Sequence, residues 1–254
     1  MRQVSSDLKV AIWNVFQPPL FDSGHEINGW RKNLTPVYEY LHWPTHKMVW
    51  NQTKEVERLE NKYFGEPEWY QFYNFVQFIA DLLASWSGPP VYDVFNRVLQ
   101  DEGSPYRFVE GALTPITDPT ELQAVRDALA APDRFAGARE HLTTALKMLG
   151  QRPEPDFRNT VKEAISAVES TLKVLTGHDH ADLAEALREF ARAHPIHGAL
   201  FRGLDSLYGY TSNEHGLRHA LLEADANVGF AEAKFMVVAC SAFVGYLVAR
   251  AAAQ

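Results

Sequence analysis

The chain has 254 residues, 46% hydrophobic, 22% charged and 12% aromatic, which supplies a sizeable core and excludes disordered, collagen-like and coiled-coil classes. Its net charge of −8 divides into −6 over residues 1–130 and −2 over the remainder. Neither half has the basic footprint of a non-specific nucleic-acid binder, so an RNA partner requires a local basic pocket.

All six tryptophans fall between Trp13 and Trp86, so the two halves differ in kind and two domains are expected. Residues 7–17 place Leu8, Ile12, Val15 and Phe16 on one helical face, and the Pro18-Pro19 pair is expected to end that helix. The next 45 residues are rich in Trp, Tyr and His and read as short helices and loops. Residues 68–86 are apolar nearly all round, with Trp69, Phe72, Phe75, Val76, Ile79, Leu82 and Leu83 on the densest stripe, and are expected to form the centre of the first domain. A second helix over 91–100 follows the Gly88-Pro89-Pro90 break.

Residues 106–116 carry β-branched and aromatic side chains around Glu110-Gly111 and predict a short β-hairpin. Asp118-Pro119-Thr120-Glu121 combines a capping carboxylate, proline at the first helical position and an acid in the first turn, which marks a helix running to about Ala130. Ala131-Pro132-Asp133 then reads as the hinge between domains 1–131 and 135–254.

From Phe135 onward the pattern is helical only. Helices are expected over 138–149 and 156–176, the latter with Gly177 as its stop, and over 181–193, 197–208 and 230–251, which together make a helical bundle. His178-Asp179-His180 reads as an exposed turn. The uncharged run over 235–249 is shorter than the roughly 18–20 residues of a membrane span. Its Ala, Ser, Cys and Gly content suits a buried core helix, and no membrane association is expected. Cys240 is the single cysteine, so an intrachain disulfide and a cysteine zinc cluster are excluded. The start lacks a charged segment followed by an apolar run, and cytoplasmic residence is the expectation.

The chain has no phosphate-cradling Gly-x4-Gly-Lys-Ser/Thr, Gly-x-Gly-x-x-Gly, Gly-x-Ser-x-Gly or His-Glu-x-x-His motif. Two polar clusters remain. In the first, Arg158, Asn159, Lys162 and Glu163 decorate the opening turns of a core-forming helix; Arg158 and Lys162 share a face suited to an anion, and an ordinary solvated face accounts for the same residues. The second is the loop 208–220, which packs His215, Arg218 and His219 into five residues. Histidine can move a proton at neutral pH and arginine can hold a phosphate through paired hydrogen bonds, which is the composition a phosphodiester-cleaving site needs. A metal site at His215 and His219 lacks an evident third ligand, and a structural loop that caps helices is the plainer alternative.

These clusters also carry a resemblance. PDFRNTVKEAISAVES, LYGYTSNEHGLRHALLE and EAKFMVVACSAFVGYL resemble the C-terminal helical domain of bacterial abortive-infection proteins. LKVAIWNVF, WYQFYNFVQFI and YRFVEGALTPIT resemble the AbiJ-type N-terminal domain that accompanies it. The resemblance implies a mainly α fold: a Trp-rich helical domain with a small β-hairpin, followed by a bundle of the HEPN class. It further implies an antiphage toxin that cuts RNA without metal or cofactor and dimerises through the C-terminal bundle. The site residues it implies are His215 or His219 for proton transfer, Arg218 and Arg158 for the phosphate, and Asn159 to orient them. The sequence departs from that family at one place. An Arg and a His with four to six residues between them normally open the last helix, whereas here Arg218 is followed directly by His219. Pairs at that spacing occur at Arg134/His141, Arg188/His194 and Arg192/His197, a number that chance alone produces. A catalytically inactive module that senses a phage or defence-system protein is the competing expectation, with the Trp-rich domain as its recognition surface, and a small-molecule enzyme is the third.

Overall fold

The structure is a computed structural model. It describes residues 4–22, 29–65, 67–178, 183–212 (backbone alone at 210–212) and 228–253. Among these, eleven α-helices and one two-stranded hairpin give a mainly α fold. Contacts divide the chain into a first unit, Met1–Leu113, and a second, Thr114–Gln254.

The first unit holds α1 (Ser6–Phe21), α2 (Trp30–Tyr40), α3 (Gln52–Phe64), α4 (Trp69–Ser87) and α5 (Val91–Asp101), with a hairpin of β1 (Arg107–Val109) and β2 (Ala112–Thr114). Local chemistry sets the starts: Ser5 accepts from Leu8 N, and Asn51 accepts from Lys54 N. Helix α1 runs through Pro18-Pro19 to Phe21, four residues past the end expected from sequence. The two prolines forfeit helical hydrogen bonds, a cost of about 3 kcal/mol in a helix interior. Here they sit in the last turns, where burial of Leu20 and Phe21 returns roughly 1.5–3 kcal/mol for each side chain. Asn33 Nδ2 donates to Pro19 O and Asp22 O, and Gln52 Nε2 donates to Phe21 O at 2.8 Å, so side chains from α2 and α3 satisfy the end.

Helix α1 packs against each of α2, α3, α4 and α5, so it shares the centre of the unit with α4. The core is aromatic. The Tyr63 ring lies within 5.6 Å of the rings of Trp13, Phe16, Phe72 and Phe75, centroid to centroid. The hairpin turns at Glu110 (φ 46°) and Gly111 (φ 78°), the pair of left-handed residues that a two-residue turn between twisted strands needs. Gln77 of α4 docks it by donating to Gly111 O and accepting from Leu113 N, both at 2.7 Å.

The second unit contains α6 (Pro119–Leu129), α7 (Ala136–Leu149), α8 (Phe157–Thr176), α9 (Leu183–Ala193), α10 (Gly198–Ser212) and α11 (Phe230–Ala252). Asp118 caps α6 by accepting from Thr120 N and Glu121 N. Asp156 caps α8, and Gly177, left-handed at φ 74°, ends it. Helix α8 is the hub, packed on α7, α9, α10 and α11. Helix α6 packs on α11, with Glu121 and Lys234 paired at 2.7 Å, so by contact it joins the second unit although it precedes the Ala131-Pro132-Asp133 segment. Helix α11 is long and apolar enough to cross a membrane by length and composition. In the structure it is a core helix of the bundle: Met236, Val237, Cys240, Phe243, Val244 and Leu247 are buried, on a helix packed against α6, α7 and α8.

Candidate functional site

The opening turn of α8 gathers the described part of the site. Asp156 ends the preceding loop, and its carboxylate accepts from Asn159 N at 3.0 Å and from Asn159 Nδ2 at 2.7 Å. Its carbonyl accepts from Thr160 Oγ1 at 2.7 Å. Asn159 is thereby committed to the helix cap on the solvent side. Arg158, one residue earlier, is half-buried, and its Nε and Nη2 atoms are shielded from solvent with no hydrogen-bond partner among the described residues. A guanidinium is always protonated, and shielding its N–H groups without an acceptor costs the free energy that an incoming anion would recover. The Phe157 ring, 6.2 Å from that of Phe230, sets the start of α8 beside the start of α11.

His215, Arg218 and His219 lie outside the described residues, between α10 and α11. The structure therefore places Arg158 and Asn159 side by side in sequence with separate tasks. Lys162 is exposed.

A pairing that sequence reading missed lies nearby. His141 of α7 and Glu163 of α8 approach to 2.7 Å through Nδ1 and Oε2. The partners are 22 residues apart, and no local pattern signals them. At about 100° per residue, Glu163 points about 140° around α8 from Arg158, so the imidazole serves the α7–α8 contact on another side of the helix. His178, in the expected exposed turn, pairs with Glu189 at 3.2 Å. Cys240, buried, has its thiol pushed up to about 12 by desolvation, so it is a core side chain without nucleophilic character.

In the first unit the buried polar groups have structural work. Arg107 donates to the carbonyls of Leu99, Ser104 and Tyr106, and burial lowers its pKa from the ordinary arginine value. Glu55, 1% exposed, accepts from the Tyr38 hydroxyl and from Val49 N at 2.7 Å. Arg58 lies 4.4 Å from the Trp43 ring and Arg31 4.0 Å from that of Trp50. Trp50 is 75% exposed, whereas Trp13 and Trp30 are core.

A family model described as AbiJ N-terminal domain 4 matches residues 2–131. No curated protein and no solved structure matches the chain.

Proposed function

We propose a mechanism on the premise that the chain belongs to the AbiJ N-terminal domain 4 family and is an abortive-infection protein of bacterial antiphage defence: its second unit cleaves RNA without a metal. The observation that carries this reading is Arg158, whose shielded Nε and Nη2 lack an acceptor among the described residues and whose charge suits a phosphodiester. In the sequence His215, Arg218 and His219 precede α11, whose first residue packs against the residue before Arg158. In this mechanism Arg158 and Arg218 neutralise the phosphate as negative charge builds in the transition state. His219 or His215 takes the proton of the ribose 2′-hydroxyl as that oxygen attacks phosphorus, and an imidazolium returns a proton to the departing 5′-oxygen. The products are a 2′,3′-cyclic phosphate and a 5′-hydroxyl. Asn159, held by Asp156, fixes the turn from which Arg158 projects. A homodimer through the second unit accompanies this reading, and sedimentation of the purified chain tests it.

The deciding experiment is induced expression in a bacterial host of the wild type, Arg158→Ala and the His215→Ala/Arg218→Ala/His219→Ala triple variant, followed by mapping of RNA ends. New cyclic-phosphate ends that vanish in both variants are expected. Unchanged RNA in the wild type, with and without phage challenge, overturns the mechanism. A catalytically inactive sensing module is then the reading that remains. Trp50 favours it, since so exposed a tryptophan on a cation is a recognition surface in form.

A further inference from the structure

The first unit contains a cleft of about 440 Å³, within the size range of small-molecule sites. It lies where the end of α2, the second half of α3 and the start of α4 converge. Buried Tyr63 and Phe72 line it together with half-exposed Tyr40, and exposed His42, Lys62 and Gln71 line it too. Among the described lining residues none is acidic, and one is lysine.

Three observations go beyond shape. First, Tyr63 is 5% exposed and its hydroxyl has no hydrogen-bond partner among the described residues, although a buried hydroxyl ordinarily has one. Second, Gln71 spends its Oε1 on Glu68 N, in the cap of α4, which leaves its amide N–H groups as donors. Third, His42 sits at φ 53°. Trp43 N donates to Tyr38 O and Leu41 N to Val37 O, so His42 occupies the left-handed residue that terminates α2, a place where glycine is the relaxed choice. A histidine there strains the backbone, and its side chain lines the cleft.

We propose that this cleft binds a nucleoside monophosphate group, either as a free nucleotide or as the phosphorylated end of an RNA strand. The base lies against the half-exposed ring of Tyr40, Gln71 donates to its edge, and Lys62 and His42 hold the phosphate. The site belongs to the first unit and stands whether or not the second unit cleaves RNA.

The test uses the purified full chain in calorimetric titrations with AMP, GMP, CMP and UMP, with the corresponding nucleosides, and with tetranucleotides carrying a 5′-phosphate or a 5′-hydroxyl. Saturable binding is expected for at least one monophosphate or 5′-phosphorylated oligonucleotide, about tenfold tighter than for its unphosphorylated counterpart. Binding of free nucleotides identifies the small-molecule source, and binding of 5′-phosphorylated oligonucleotides alone identifies the RNA end. Lys62→Gln weakens binding about tenfold without lowering the melting temperature. His42→Gly weakens binding while raising the melting temperature by about 2–4 °C, because glycine relieves the strain. Absence of binding to every probe at millimolar concentration, equal binding with and without phosphate, or wild-type affinity in both variants overturns the proposal.

Discussion

The Nδ1 atom of His141 lies 2.7 Å from Glu163 Oε2, across the contact between α7 and α8. The pair is partly exposed, so its worth is modest: Glu163→Ala is expected to lower stability by roughly 0.5–1 kcal/mol, read from the urea midpoint. Because Glu163 and Arg158 point to different sides of α8, His141→Ala is expected to leave the proposed RNA cleavage within about twofold of wild type. Loss of cleavage in that variant would move the imidazole into the reaction.

Arg158 is the reverse case. Arg158→Met retains an unbranched apolar side chain and removes Nε and Nη2, which have no partner among the described residues. We expect it to match or exceed wild-type stability, by roughly 0–1 kcal/mol in thermal unfolding, while abolishing the proposed RNA cleavage. A marked loss of stability would identify the guanidinium as a structural group.

Glu55 ties α2, the chain at Val49 and α3 together through Tyr38 and Val49 N. Glu55→Ala leaves the buried Tyr38 hydroxyl and the part-buried Val49 N–H without that acceptor and is expected to cost about 1–3 kcal/mol in urea unfolding. The Trp50 emission should shift as its loop loses support. Glu55→Gln, which retains an acceptor oxygen, should recover about half of that loss.

Gly111 carries φ 78°, and a Cβ placed on it would meet the Tyr92 hydroxyl at 3.2 Å. Gly111→Ala is therefore expected to destabilise the chain by about 1–2 kcal/mol. Tyr92→Phe removes the steric neighbour but leaves the strained backbone, so the double variant should recover only part of the loss.

Burial pushes the Cys240 thiol from its ordinary value of 9 up to about 12. Tyr92 is likewise pushed up to about 12, first by desolvation and then by donating to Asp81. Both folded values exceed the unfolded ones, so the fold favours the protonated forms. Their contribution is complete below about pH 9 and disappears as pH rises through about 12. The urea midpoint should accordingly fall between pH 9 and pH 11. At pH 8 an aromatic disulfide reagent should fail to modify the native chain and should modify it fully in denaturant.

The local signals carried the helices of the second unit. Asp118 with Pro119, Asp156, and Gly177 each act within four residues of their own position, so capping and stop chemistry are legible in the chain and the structure repeats them. The hairpin was legible for the same reason, since Glu110-Gly111 needs only its own two backbone angles. Of the candidate site, Arg158 and Asn159 were legible as a polar interruption of an apolar helix, but their separate tasks were not. Asn159 turns to Asp156, three residues away, while the isolation of Arg158 depends on which residues fail to reach it.

Tertiary structure decided the rest. Helix α1 passes through two prolines because Asn33 and Gln52, from other helices, satisfy its end and because Leu20 and Phe21 are buried. Helix α6 associates with α11 through Lys234, more than a hundred residues later. His42, Lys62 and Gln71 meet at one cleft although they come from three helical segments. By itself the sequence determined the caps of α6 and α8 and the stop of α8, because those choices are made by neighbours along the chain. Only the fold determined which polar groups are left without partners, because burial and the absence of an acceptor are properties of packing between distant segments.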